Sequence, residues 1–533
     1  MPINLHSINH KIVDGENTAV ELDCIYAIKG HDLADSIDRI KQVHQTDFCL
    51  LPLSSVSGGG GIFQVEKPVG KQVIGIQLCA TNSPRVTRSS HVDITKVGLD
   101  DIIIDEQQHT IYAGGAITLA QLNQVLGNEL GGQFKVLGAD LTSYTYAQVG
   151  ATFMTGGMGP QRRYFSDSVI EVSLHNGDEL ITIDGDELKD YAGTYGWTGL
   201  VSAICCEYVE LPAVEIAFAI PVNNSPSELS RLLQHLSQFA YLKIQNRKVL
   251  SHNGGTDLIL GLEHITIDAM QPFVESGDNA LTKRAAQLQA NCQAAKADGL
   301  IFVNGYSHLP VDEFLFKLVD DIDADEFTIG DISLDHTEIF KDPDQMRAVR
   351  EGVPFAARTQ APKGRFIFKY HTDVNIRLNQ DCVADAMDRL WRANQHYVES
   401  VEEYIKSHAE LSGQIIVYGH LNPYGVDPHN RITLACDDAT IYKQAVADIQ
   451  TFKDEFVCRL RTLCDDSGSG FIGGEKSVGS EYSLFSAFGG PELAPPLLAA
   501  KFRRQCKTVR SASDLFSWRA IAPYSGYFDA ETP

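Results

Sequence analysis

The chain has 533 residues and a formal net charge of −25 at pH 7. That length implies roughly two to four domains with a sizeable core, and the acidity excludes nucleic acid and anionic membrane surfaces, which want a basic patch. The 11 cysteines are an odd number without C-x-x-C or zinc-ribbon spacing, which excludes a disulfide framework. With no basic-then-apolar leader at the N-terminus and no apolar run of membrane-spanning length, the expectation is a reduced, soluble, cytoplasmic protein.

In chain order, residues 31–45 set Leu33, Ile37, Ile40 and Val43 on one helical face, and QTDFCLLPL follows as a buried strand. The segment SSVSGGGGIFQ brings Ser57, Gly58, Gly59, Gly60 and Gly61 together. A run of free backbone amides makes an anion-binding concavity without needing a lysine. HVDITKV resembles a strand of a known family, and IIIDEQQHTIYAGG resembles that family's paired strands ending in a glycine turn. Thr118 and Gln121 form a capping box for a helix with Leu119, Leu122, Leu126 and Leu130 at helical spacing, stopped by Gly131 and Gly132.

The stretch from Gly138 to Val201 organises the chain. Glycines fall at Gly150, Gly156, Gly157 and Gly159, and again at Gly193, Gly196 and Gly199. Such a cluster between apolar runs implies main chain laid flat against a ligand. A hairpin pivots on Asn176-Gly177. No G-x-G-x-x-G joins a strand to a helix, so this is not a Rossmann unit. Past Pro212 the pattern changes. A helix opens at Ser225-Pro226, and two strand–helix–strand passages follow, the second containing the long helix from Asp381 and the strand QIIVYGHL. They imply an antiparallel sheet backed by helices. From about Ser467 the chain is glycine-rich, then helical.

These parts, in this order, resemble the FAD-binding PCMH-type domain of the vanillyl-alcohol oxidase superfamily, closest to the D-lactate dehydrogenase, glycolate oxidase and D-2-hydroxyglutarate dehydrogenase branch. The matching residues are Asp140, Ser143, Val149-Gly150-Ala151, Gly156-Gly157, Tyr164-Phe165, Asp167 and Val169, then Gly193, Gly196, Gly199 and Val201. The fold implied is α+β, with a two-subdomain FAD domain over 1–215, a cap domain over 216–466 and a segment 467–533 returning to the FAD domain. The resemblance assigns FAD, held without a covalent tether, to Ser57 and the four glycines after it, and to Asp140, Ser143, Gly150, Ala151, Gly156, Gly157, Gly193, Gly196, Gly199 and Val201.

The branch carries G-H-x-G-D-G-N-x-H and E-H-G-x-G. Here these read Gly419-His420 through His429, with the histidines two residues further apart, and Glu475-Lys476-Ser477-Val478-Gly479, with lysine in place of histidine. The resemblance implies that His420, His429 and Glu475 bind zinc or manganese, a ligand set suited to either. It also implies that Arg350, of an L-R-E-type motif, and Lys369, of a K-x-D-type strand, grip substrate carboxylates, an arginine bidentately. Lys476, His420 and His371 are the candidates to take the substrate hydroxyl proton. The function implied is an FAD-dependent dehydrogenase of D-2-hydroxy acids, passing electrons to a quinone, cytochrome, flavoprotein or oxygen, with a homodimer as the candidate assembly. A phenol oxidase like vanillyl-alcohol oxidase and a non-catalytic flavoprotein subunit of a redox complex are the alternatives.

Overall fold

The computed structural model describes residues 10–13, 19–29, 33–44, 47–53, 70–79, 82–141, 143–159, 164–236, 242–245, 248–251, 257–317, 328–329, 332–359, 362–379, 381–422, 425–473, 488, 495–513 and 515–516. Ser57 to Gly61, Glu475 and Lys476 lie outside them. For Lys369 and His371 the description extends to the backbone alone.

The N-terminal half is built on two sheets. Cys24–Ile28, Gln72–Leu78 and Phe48–Leu53 form a three-stranded parallel sheet in that spatial order. The helix Leu33–Val43 packs on it through Leu33, Ile37 and Ile40; Val43, expected on the same face, is 57% exposed because the helix ends there. The second sheet has six strands, in the order Leu180–Asp184, Val169–His175, Leu200–Glu207, Thr110–Gly114, Asp101–Asp105, Arg85–Arg88. The expected hairpin is present, its loop closed by Asn176 Oδ1, which accepts from the amides of Asp178 and Glu179. The Thr118–Gln121 capping box starts the helix Leu119–Glu129, whose Leu119, Leu122 and Leu126 are fully buried. HVDITKV, by contrast, is not a strand. Asp93 accepts from the Thr95 amide and hydroxyl and so caps a single 3-10 turn, Ile94–Lys96. A short polar side chain bonding its own backbone two residues on competes with strand pairing.

The C-terminal half is organised on a nine-stranded sheet, with Val214–Val222, Gly299–Ser307, Asp257–Thr266, Ser412–Asn422 and Gly425–Cys436 as successive antiparallel neighbours. Phe366–Asp373 and Asn375–Arg377 pair along the far side of Gly425–Cys436, and Gly470–Gly473 closes the edge. Alternation sorts the side chains between the faces. Leu262, Ile432 and Leu434 join the helices Pro226–Leu236, Val383–Ser407 and Ala439–Ser467 in one core. Ile265, Ile416 and Tyr418 join the helices Ile267–Glu275, Ala280–Ala295 and Pro343–Thr359 in another.

The helix Pro496–Ser511 returns to the N-terminal half, where Gln505 donates to the Ala192 carbonyl and Arg504 pairs with Asp190. Beyond it, Phe516 is completely buried in the core between the three-stranded and six-stranded sheets, and the Leu515 carbonyl accepts from the Leu50 amide. No helix among the described residues is long and apolar enough to cross a membrane.

Candidate active site

Two directly opposed residues of an antiparallel pair point to the same face. Following the register across the large sheet, Glu263 stands opposite His420, His420 opposite Asp427, and His429 opposite Tyr418. On the far side of the Gly425–Cys436 strand, Asp373, His371 and Lys369 hold the register positions opposite His429, Arg431 and Thr433. One face of three strands therefore gathers a glutamate, an aspartate, two histidines and an arginine. Asp427, His429 and Arg431 alternate along one strand, and the neighbouring Leu262, Leu421, Val426 and Ile432 take the opposite face. Glu263, His420, Asp427, His429 and Arg431 are all 2% exposed or less.

These groups touch in a chain. The His420 and His429 rings meet edge to face with centroids 5.0 Å apart, and Tyr418 stacks on His429 at the same separation. His420 Nδ1 lies 3.8 Å from Glu263 Oε2, and His429 Nε2 lies 3.6 Å from Asp427 Oδ2. Arg350, from the helix Pro343–Thr359, continues the chain: its Nε lies 3.4 Å from Glu263 Oε2. Its other two nitrogens donate to Asp140 Oδ1 at 2.7 Å and Oδ2 at 3.3 Å. Burial alone would raise the Asp140 pKa, but the Arg350 charge and hydrogen bonds outweigh it and hold the carboxyl below its ordinary range. On Arg350 burial pulls the pKa down, and Asp140 with Glu263 more than restores it.

Asp140 belongs to the organising stretch, so the chain of ionisable groups passes from the large sheet into the N-terminal half. Nearby contacts make the same crossing. Asn375 Nδ2 donates to the Tyr164 hydroxyl at 2.9 Å, Thr145 donates to Glu351 at 2.8 Å, and the half-buried Arg347 pairs with Glu215 while lying over the Tyr144 ring. Asp140, Tyr144, Thr145 and Tyr164 thus lie against the helix Pro343–Thr359 and Asn375, which border the ionisable face. The organising stretch also meets the seam between the two N-terminal sheets, where Gln148 Nε2 donates to the Leu78 carbonyl and Gly196 packs on Pro52.

The glycines of the stretch are required by protein contacts visible here. A Cβ on Gly150 would come within 3.0 Å of the Gly115 carbonyl oxygen, and one on Gly159 within 2.0 Å of the Asp140 carbonyl oxygen. Gly199 has φ +142° and would drive a Cβ to 2.4 Å from the His175 carbonyl oxygen. Ser143 sits in the turn that leads into the helix Val149–Thr155, which carries Gly150 and Ala151; Gly156 ends that helix in the left-handed conformation with Gly157 directly after it. Gly193 and Gly196 lie in the turn before the strand containing Val201.

The sequence reading therefore named His420, His429 and Arg350, which the fold brings together through Glu263. It named Asp140 and Arg350 for different ligands, and the fold pairs them with each other. It did not name Glu263, Asp427 or Arg431. Their one signal was ionisable residues at alternate positions in strands otherwise rich in apolar side chains. Among the described residues, no three His, Cys, Asp or Glu side chains have the spacing to hold a metal ion; Glu475 is outside them.

No family profile matches the chain, and no curated protein matches it in sequence. Solved structures do match in fold. An alkyldihydroxyacetonephosphate synthase aligns with 12% identity and a TM-score of 0.53 over 84% of this chain and 72% of that one. A second crystal form of a synthase of that name gives 11% identity, a TM-score of 0.52, and 84% and 73% coverage. The 6-hydroxy-D-nicotine oxidase of Arthrobacter nicotinovorans aligns with 13% identity and a TM-score of 0.51 over 98% of both chains. The chain shares the fold of these proteins along most of its length.

Proposed function

We propose that the protein is an FAD-dependent oxidoreductase that dehydrogenates a D-2-hydroxy acid. The observation that carries this reading is the buried face of the large sheet, where Glu263, His420, His429 and Arg431 share one side and Arg350 links Glu263 to Asp140 of the glycine-rich stretch. The residues present suit FAD. The segment 138–165 and the turn 193–199 offer mainly main chain along the seam between the N-terminal sheets, where side chains would obstruct a flat cofactor. Ser143, the helix start at Gly150-Ala151, Gly156-Gly157 and the turn Gly193–Gly199 would hold it there, with Ser57 and Gly58–Gly61 at its phosphates. FAD, when bound, supplies the acceptor for the hydride that leaves the substrate carbon.

The chain's own part is to bind, orient and deprotonate the acid. A neutral His420 imidazole accepts the hydroxyl proton, and the Glu263 carboxylate beside it favours the imidazolium that results. His371, at the register position opposite Arg431, and Lys476 are the other candidates for that proton; Lys369 is the further candidate cation. Asp140 and Arg350 tie the ionisable face to the glycine-rich stretch. His420 and His429 are the described members of the set that would hold a zinc or manganese ion; Glu475, the third, lies outside the described residues.

The test is to purify the protein, load it with FAD and mix it anaerobically with D-lactate, D-2-hydroxyglutarate, glycolate or vanillyl alcohol. Bleaching of the flavin by a 2-hydroxy acid supports the reading. Bleaching by vanillyl alcohol alone rejects the substrate class, and failure to take up FAD rejects the reading altogether.

A further inference from the structure

We infer that the exposed basic face of the helix Pro496–Ser511 receives an acidic, one-electron carrier protein that reoxidises the flavin. This rests on the reading above that substrate oxidation loads FAD with electrons. The helix carries five basic residues, Lys501, Arg503, Arg504, Lys507 and Arg510, and no acidic one, in a chain whose formal net charge is −25. Leu498, Ala499, Gln505, Thr508 and Val509 form its buried side. Arg503, Arg504 and Lys507 are exposed, and helical geometry places them within about 100° of one another. Asp190 pairs with Arg504 at 3.4 Å. Among the described residues no carboxylate pairs with Arg503 or Lys507.

The helix lies along the segments proposed to hold the cofactor. Lys501 Nζ stands 5.7 Å from the centroid of the Tyr164 ring, whose hydroxyl accepts from Asn375. Gln505 Nε2 donates at 2.8 Å to the carbonyl of Ala192, directly before the turn Gly193–Gly199. At physiological salt, charges more than about 8 Å apart are largely screened. An approaching surface therefore meets the field of this helix rather than that of the whole acidic chain. Charge complementarity selects a carboxylate-rich partner and speeds its encounter. Among the described side chains no large exposed apolar one stands on the helix. The face offers charge without an apolar anchor, which suits the small, short-lived contacts of electron transfer rather than a permanent subunit. Each carrier molecule takes one electron, so two of them oxidise one reduced flavin, which releases its proton to water.

The probe is cytochrome c in two forms, native and basic or succinylated and acidic, which share one haem and differ in surface charge. The FAD-loaded protein is reduced with dithionite, freed of the excess, and mixed with each form. In the double variant Arg503→Glu, Lys507→Glu, reoxidation by succinylated cytochrome c should slow about tenfold, and reoxidation by the native form should not slow. The Kd of succinylated cytochrome c for the oxidised protein, measured by interferometry, should rise by a similar factor, a readout independent of turnover. Bleaching of the flavin by substrate should be unchanged. Lys443→Glu, Arg459→Glu makes the same change in net charge at exposed positions of the helix Ala439–Ser467 and should match the wild type in both readouts. If charge reversal impairs folding, the neutral pair Arg503→Gln, Lys507→Gln decides by the same readouts. Slowing of both cytochromes alike, or of neither, overturns the assignment, as does a control variant that slows as much as the double variant. A wild-type dimer that the double variant converts to monomer gives the helix to a second copy and overturns it too. A wild type that binds FAD but is bleached by no 2-hydroxy acid rejects that substrate class, while the dithionite-reduced protein still decides the carrier. Failure to take up FAD rejects both.

Discussion

Asp140 and Arg350 are 210 positions apart in sequence, yet their side chains meet at 2.7 Å with exposures of 9% and 2%. One comes from the glycine-rich segment of the N-terminal half and the other from a helix packed on the large sheet. The pair ties the ionisable face to that segment. Because it is buried, its strength depends on both partners being present.

Removing one partner strands a buried charge. Asp140→Asn should lower the free energy of unfolding by about 3–5 kcal/mol, and the double variant Asp140→Asn, Arg350→Met should recover part of that loss. Denaturant titration measures both. The Asp140 pKa is depressed in the folded state, so its contribution is present above the ordinary aspartate range and is lost as pH falls through the folded value. The wild type should therefore lose stability in that acid window more steeply than Asp140→Asn does. Equal stability of Asp140→Asn and wild type at neutral pH would show that the pair holds nothing together.

His264 gives a second pH dependence at a separate place. Its ring is fully buried, edge-on to Trp391 with centroids 5.4 Å apart, and neither nitrogen has a hydrogen-bond partner. Burial pushes its pKa from 6.5 down to about 3. The unfolded chain takes up this proton first, so stability declines as pH drops below 6.5 and continues to decline to about 3. Between pH 7 and pH 5 the loss amounts to about 2 kcal/mol. His264→Leu should abolish that share of the slope. Parallel pH–stability curves for wild type and variant would count against it.

Phe516 should behave as a core residue of the N-terminal half despite its place in the sequence. Phe516→Ala should destabilise by about 3–5 kcal/mol. The loss should appear as faster amide exchange in the strands Cys24–Ile28, Phe48–Leu53 and Gln72–Leu78, with the large sheet unaffected. Exchange changed equally everywhere would mean that the two halves unfold as one unit.

What could be read without the fold was what local chemistry writes into neighbouring residues. Thr118 and Gln121 are three apart, and their reciprocal cap needs nothing beyond the helix they start. Asn176-Gly177 announces its hairpin for the same reason. His420 and His429 were legible through a motif, and their contact follows from antiparallel pairing on either side of one turn. The Asp140–Arg350 pair was not legible, because no periodicity relates residues so far apart; only the packing of one half on the other brings them together. HVDITKV misled because its likeness to a family strand says nothing of local bonding, while Asp93 offered the backbone a tighter local alternative. Glu263, Asp427 and Arg431 were passed over because a charged residue inside a strand carries no motif. It becomes informative once the register shows which face it shares.

The burial of Phe516 also bears on the order in which the chain can fold during synthesis. The parallel sheet and the helix Leu33–Val43 leave the ribosome early, but the ring that completes their core emerges hundreds of residues later. Until then the nascent chain presents an apolar surface that includes parts of Leu50, Ile74 and Ile76, the kind of exposed patch that chaperones engage and that misassembles when crowded. A sheet translated early is thus sealed late, and pausing or premature release upstream of Phe516 should yield aggregation rather than a soluble N-terminal fragment.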